Sequence, residues 1–278
     1  MPDEPVRDAT PESLPDRLND APLKDERSLM EFPFFALEKK RTAPLVYEDG
    51  RVRIRVTGGE KGVATIWDKE VLIFVASIIN DRIERGLPAE RTLRFRAREF
   101  LRLSGRGTEG AAYRSLEDAL DRLRSTMVKT SLFEGTRRDR QAFGWIDSYR
   151  IAARELRGGR EVMGHVEVTL NEWTFQAILA GRRLLTISPA YFRLTSSLER
   201  RLYELTRKHC GQQREWRIGL PRLAEKVGTD RELRFFKREL LRIIERDTLP
   251  EYRLAIEIPP SGGSRVENLT AAFMRREG

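Results

Sequence analysis

Apolar positions along the chain recur with two different periods, and the order in which those periods alternate sets the expected architecture. Val52-Arg53-Ile54-Arg55-Val56 alternates as a half-buried strand does, and Gly58-Gly59 marks its end. A short strand from Val63 to Ile66 leads into Trp67-Asp68-Lys69-Glu70. From there Val71 to Ile79 is almost wholly apolar, the pattern of a buried helix, with Asp68 placed as its N-cap and Gly86 as its stop. Thr92 to Arg96 reads as a strand and Ala97 to Leu103 as a short helix. Ser104 to Thr108 follows as a turn, and Glu109 to Arg124 as a longer helix whose stripe is Ala112, Leu116, Ala119, Leu120 and Leu123. Met127 to Phe133 and Phe143 to Ala152 read as strands on either side of a basic loop, Gly135 to Arg140.

The same order then returns. Val166 to Leu170 reads as a strand, Trp173 to Leu179 as a helix, Leu184 to Ile187 as extended chain, and Ser197 to Cys210 as a helix closed by Gly211. Glu215 to Ile218 is a strand and Leu220 to Val227 a short helix with Pro221 in its first turn. Gly228-Thr229 is the turn, Asp230 to Glu245 a long helix, and Tyr252 to Ile258 a closing strand. Shifting the first copy by 120 positions lays Leu116 on Phe236, Leu120 on Leu240 and Leu123 on Ile243, with the first turn about three residues longer than the second. Strand, helix, turn, helix, strand and basic hairpin, twice over, predict an α+β fold of tandem winged helix-turn-helix domains, each with a small antiparallel sheet or wing. The expected division is a disordered acidic leader over 1–30 and an N-terminal winged-helix domain over 31–160 that contacts DNA. A C-terminal winged-helix domain over 161–260 would be the main DNA reader, and 261–278 a flexible tail.

Charge sharpens this picture at one helix. On a helix from Asp230 to Glu245, Leu233, Phe236, Leu240 and Ile244 share one face, while Arg231, Arg234, Arg238 and Arg242 lie on the other, within roughly 80° of one another. Aligned like charges repel, so this face suits a polyanion; the alternative is a solvated face partly paired by Glu232, Glu239 and Glu245. Arg231, Arg234, Lys237, Arg238 and Arg242 are the candidates for DNA contact, arginine being the side chain that offers paired donors to guanine. The first long helix carries Arg114 but also Asp118 and Asp121, so only its N-terminal end, with Arg106, Thr108, Tyr113 and Arg114, is expected to approach DNA. Arg137, Arg138 and Arg140 have the composition of a wing tip on phosphates or a minor groove, or equally of an ordinary surface hairpin.

Composition agrees with a polyanion partner and argues against catalysis. The 278 residues carry a formal net charge of +9, of which the first 27 hold −4, leaving +13 on the remainder. No apolar run approaches the ~20 residues of a spanning helix, and Cys210 stands alone, as suits a reducing cytoplasm. The two histidines, His165 and His209, are 44 positions apart, so neither a His-x-His nicking site nor a four-ligand zinc site is supported. Gly58-Gly59-Glu60-Lys61-Gly62 lacks phosphate-loop spacing, and Gly105-Arg106-Gly107 lacks a third glycine. The expectation is a soluble, cytoplasmic non-enzyme with no cofactor and no metal.

Several blocks resemble the plasmid replication initiator proteins of the RepA type: Glu31 to Arg41 (EFPFFALEKKR), Ala64 to Phe74 (ATIWDKEVLIF), and Arg94-Phe95 with Gly105 to Thr108. Leu185-Thr186-Ile187 and Leu198 to Gly211 (LERRLYELTRKHCG) continue the likeness, which runs from Glu31 to Ile258 and is least distinctive over Glu232 to Arg242. The resemblance implies a bacterial, plasmid-associated protein that binds direct repeats (iterons) in double-stranded origin DNA and helps to open an A·T-rich segment. It further implies recruitment of the host replication initiator and helicase machinery. A homodimer in equilibrium with the monomer, formed through the N-terminal winged helix, is also implied, with autoregulation and control of copy number. Val71 to Ile79 is a candidate for core or for dimer contact, core being the reading adopted. The runner-up is a winged-helix transcriptional repressor without an initiation role. A membrane- or RNA-binding protein is disfavoured by the lack of stacking platforms and of a core-free basic helix.

Overall fold

The computed structural model describes residues 21–50, 52–131, 140–155, 161–180, 184–258 and 265–277, with Leu18 and Gly263. In chain order the elements begin with β1 (Lys24–Glu26), α1 (Arg27–Glu31), β2 (Leu45–Glu48), β3 (Arg53–Thr57) and α2 (Lys69–Glu84). Next come β4 (Thr92–Arg96), α3 (Ala97–Leu103), α4 (Gly110–Ser125), β5 (Met127–Thr130), β6 (Gln141–Phe143), β7 (Ile146–Glu155), β8 (Glu161–Leu170) and α5 (Glu172–Leu179). β9 (Leu184–Thr186) and a 3₁₀ turn at Pro189–Arg193 lead to α6 (Ser197–Cys210), β10 (Glu215–Gly219), α7 (Leu220–Val227), α8 (Leu233–Arg246), β11 (Tyr252–Glu257) and β12 (Thr270–Arg275). The fold is mixed α and β with small antiparallel sheets, ordered β4-β8-β7, β10-β12-β11, β2-β3-β5-β6 and β1-β9.

Two of these sheets repeat one plan. In both, a strand leads into a short helix, a turn and a long helix, and a later hairpin lays its second strand beside the first strand. An offset of 123 carries β4 onto β10 and the buried Ala97, Phe100 and Leu101 onto Leu220, Leu223 and Ala224; the offset of 120 then holds for Leu116, Leu120 and Leu123. The three-residue difference falls in the turn. Gly105 and Gly228, also 123 apart, both end their short helices with positive φ, +67° and +79°, a backbone region open to glycine at little cost.

Two apolar cores lie side by side. One is built on β2–β8 with α2–α4, the other on α6–α8 with β11 and β12. α2 is shared: Phe74 and Ile78 face the first core and Ile73 the second. Every residue from Val71 to Ile79 is buried within the chain itself, so this run is core and leaves no face for a dimer partner.

The structure departs from the sequence reading at five places, four of them a matter of which segments join the packed fold at long range. β8 and α5, read as the start of the second copy, belong to the first: β8 is the central strand between β4 and β7, and Ile178 of α5 lies in the first core. Residues 270–275, placed in a flexible tail, are instead the central strand β12, with Ala271 and Phe273 fully buried. Residues 24–30, placed in the leader, instead belong to β1 and α1, with Asp25 and Glu26 buried. The basic loop after β5 joins β5 to β6 in the four-stranded sheet; the hairpin on the β4 sheet is β7–β8. Finally, Asp68 makes no capping bond; its carboxylate accepts the Thr65 N–H and both guanidinium donors of Arg122. The leader upstream of Leu18, residues 132–139 and the Pro259-Pro260 turn lie outside the described residues.

Candidate nucleic-acid interface

Good helix formers fill α8 from Leu233 to Arg246, and Asp247, at φ +48°, closes it. Its buried face is Phe236, Leu240 and Ile243; Arg234, Phe235, Arg238, Leu241 and Arg242 are exposed. The helix starts later than its periodicity indicates, so Arg231 sits in the turn before it, its N–H bonded to Thr229 Oγ1 at 3.2 Å. The aligned face therefore comprises Arg234, Arg238 and Arg242, one turn apart. Part of the basic surface is internally neutralised, Arg231 by Glu239 and Arg234 by Glu232 at 2.8 Å. Arg238 and Arg242 have no ion pair among the described residues, nor does the half-buried Lys237. Phe235 is 39% exposed between two guanidinium groups, 4.7 Å from that of Arg234 and 5.5 Å from that of Arg238. An exposed helix face carrying free arginines, one of them against an aromatic ring, can donate to base edges and phosphates and can touch a thymine methyl.

The corresponding helix of the first unit, α4, is built differently. Thr108 and Arg114 are exposed at its N-terminal end, and Tyr113 packs partly on the first core. Asp118 and Asp121 both take Lys61 at 2.5 Å, so the acidic pair is neutralised by the Gly59–Gly62 turn. Burial tends to raise the Asp121 carboxyl, but Lys61 and the Tyr149 hydroxyl outweigh it and hold the group below its usual range. Arg106 does not face outward. Its Nη2 donates to the Trp67 carbonyl at 2.6 Å and stands 2.7 Å from Glu70, which is the physical reason for the correction: a buried carboxylate requires a cation. Arg140 is exposed before β6, in a different sheet from the helix-turn-helix; Arg137 and Arg138 lie outside the described residues.

The sequence reading missed the junction between the two units. Glu70, at the start of α2, is paired with Arg106 from the first turn and with Arg200 from α6. Arg200 also donates to the Leu194 and Phe192 carbonyls at 2.9 and 3.1 Å and stacks 3.9 Å above the Trp67 ring. Beside it, Lys69 joins Asp25 at 2.6 Å and Glu204 at 2.9 Å, and Glu204 accepts from the Tyr191 hydroxyl at 2.7 Å and from Arg201 at 3.1 Å. Burial pushes the Asp25 carboxyl up to about 6 against the pull of Lys69, and it raises Glu70 against Arg106 and Arg200. Nearer the surface, Arg41 reaches Asp230 at 2.7 Å and Arg222 reaches Asp49 at 2.9 Å. The available signal was the opposite charge of Glu70, at the start of α2, and Arg200, near the start of α6. Among the described residues no group of three or more His, Cys, Asp or Glu is placed to hold a metal ion, and no helix is long and apolar enough to cross a membrane.

Residues 24–254 match the family model described as Replication initiator protein A. A relative in Wigglesworthia glossinidia brevipalpis, named as a candidate replication protein, is 33% identical over 233 residues, which are 83% of this chain and 84% of its own. Among solved structures, domains 2 and 3 of RctB superpose with a TM-score of 0.64 at 15% identity, over 90% of this chain and 98% of that one. The Pi initiator protein, solved in complex with iteron DNA, superposes with a TM-score of 0.53 at 20% identity, over 77% and 92%. At those identities the two structures share the fold with this chain.

Proposed function

The chain belongs to the replication initiator protein A family, and we propose that it is a plasmid replication initiator built from two winged helix-turn-helix units that binds repeated double-stranded DNA at its origin. In this reading α3–α4 with the β4-β8-β7 sheet form the first unit, and α7–α8 with the β10-β12-β11 sheet form the second. The second reads bases. The observation that carries the proposal is the outer face of α8, where Arg238 and Arg242 stand exposed without counter-charges, Arg238 beside Phe235. Support for the DNA partner comes from the Pi structure, a protein of the same fold solved on iteron DNA. Thr108 and Arg114 of α4 are proposed as lesser contacts, and Arg140 as a peripheral phosphate contact.

Two such helices can enter successive major grooves about 34 Å apart on one side of a duplex. Bound repeats would then help to open adjacent A·T-rich DNA and to gather the host initiator and helicase in a bacterial cytoplasm. A homodimer in equilibrium with the monomer would repress the protein's own gene. The reading is tested by footprinting the full chain on the DNA flanking its gene: protection of a run of direct repeats beside an A·T-rich stretch is expected. A single protected operator would leave a repressor instead. On the protected duplex, Arg238→Ala is expected to weaken binding by about 1–3 kcal/mol and to flatten sequence preference, as loss of a paired base contact does. Unchanged affinity would remove α8 from the groove.

A further inference from the structure

The strip Leu37-Glu38-Lys39-Lys40-Arg41 is not part of either helix-turn-helix, yet it lies between them. Leu37 and Glu38 line a cleft with Thr229, Arg231 and Arg242, at the turn and recognition helix of the second unit. Lys39 lines the neighbouring cleft, of about 650 Å³, with Ser104, Gly105 and Arg106 at the turn of the first unit, and with Arg193 and Thr195. The backbone of the strip is pinned at both ends. Ala36 exchanges hydrogen bonds with Ala64 and Ile66 at 2.9 and 3.0 Å, and the Arg41 carbonyl accepts the Val63 N–H at 2.8 Å. The Arg41 side chain is bound in turn to the Ala43 and Pro44 carbonyls and to Asp230.

Against this fixed backbone, Lys39, Lys40 and Arg193 are exposed, and none of them has an ion pair among the described residues. The neighbouring cations are engaged: Arg41 with Asp230, Arg106 with Glu70, Arg122 with Asp68. Lys39 and Arg193 thus share one cleft, with Lys40 next in the strip, and unneutralised cations between two groove-entering helices would meet the stretch of duplex that passes from one groove to the next. Ammonium groups there suit phosphate oxygens as point charges and carry no base information. We propose that Lys39 and Lys40, with Arg193, form a phosphate-binding site for the DNA backbone between the two half-sites. The proposal rests on the DNA-binding reading above and adds a contact that is independent of sequence.

The test uses the full chain, a K39Q/K40Q variant and an R55Q/K129Q control that removes equal charge from the outer face of β3 and β5. Affinity is measured by fluorescence anisotropy on the footprinted duplex and on a scrambled duplex of the same length, between about 50 and 200 mM salt. The dependence of log K on log salt is expected to become shallower by about 2 on both duplexes for K39Q/K40Q, one unit per phosphate lost. The ratio of affinities for the two duplexes is expected to stay at the wild-type value, and the control to keep the wild-type slope. A wild-type slope in K39Q/K40Q, or an equal flattening in the control, would overturn the site. The base-reading assignment is judged separately, by whether wild type prefers the footprinted duplex and Arg238→Ala does not.

Discussion

His209 is kept neutral by its surroundings. Burial, then the nearby Lys208 and Lys226, push its imidazole from 6.5 down to about 4, while the ring stacks 4.6 Å from Trp216. Between those two values the unfolded chain binds the extra proton, so this residue's contribution to stability is complete above 6.5 and is lost as pH falls toward 4. Asp25 acts in the other sense. Its carboxyl is raised to about 6, so its contribution is lost as pH rises from 3.8 to that value. Thermal melts of wild type and His209→Gln, compared at each pH, separate the two. The difference in Tm between the proteins should shrink on acidification from about pH 7.5 to 4.5, on the order of 2 kcal/mol of wild-type advantage being lost. A constant difference would show that His209 is charged in the fold. At this scale the sequence was a partial guide. The free Arg238 and Arg242 were readable from spacing, whereas Arg106, equally basic in print, is turned inward by Glu70, a residue 36 positions earlier.

Turns decide whether each short helix can meet its long one, and the two matching glycines offer a controlled comparison. A Cβ at Gly105 would meet nothing within 4 Å, whereas one at Gly228 would lie 2.5 Å from Pro33 Cβ, in the aromatic segment packed beneath the second turn. Gly105→Ala should therefore cost only the left-handed backbone penalty, about 1 kcal/mol, and Gly228→Ala that penalty plus displacement of Pro33, roughly 2–4 kcal/mol. Urea unfolding of the two variants measures this; equal losses would mean that Pro33 yields freely. Elements whose evidence is local were legible: α3 and α7 announce themselves by a 3.6-residue stripe and a glycine stop, and α4 by its stripe. Strand partnership was not. β12, Thr270 to Arg275, has a single β-branched residue, Thr270, and no alternation to mark it, and it pairs with β10 at least 51 positions earlier (Gly219 to Thr270). Its neighbourhood of prolines and glycines reads as a tail because nothing nearby shows what the strand will join.

Across the whole molecule, the junction ties the two units through charges that have left water. Replacing a buried ionic network by apolar groups is often neutral, but removing one member strands its partners. Glu70→Gln would leave Arg106 and Arg200 without their carboxylate, at a cost on the order of 3–5 kcal/mol. Because Glu70 belongs to the junction, the loss should appear as uncoupling: tryptophan fluorescence and circular dichroism should give two separate denaturant midpoints where wild type gives one. A single unshifted transition would show that the apolar contacts of α2 suffice to hold the units together. The order of strands in the second sheet has a consequence for synthesis. A chain that has emerged from the ribosome only as far as Glu257 holds β10 and β11 with an empty lane between them, each edge offering unpaired backbone groups. α8 lies on a core that Ala271 and Phe273 complete, so it has no settled floor until residues 270–275 are free of the exit tunnel. Under the function proposed here, a chain translated only as far as Glu257 lacks a settled reader of the repeats and adds nothing to the number of molecules able to occupy the DNA.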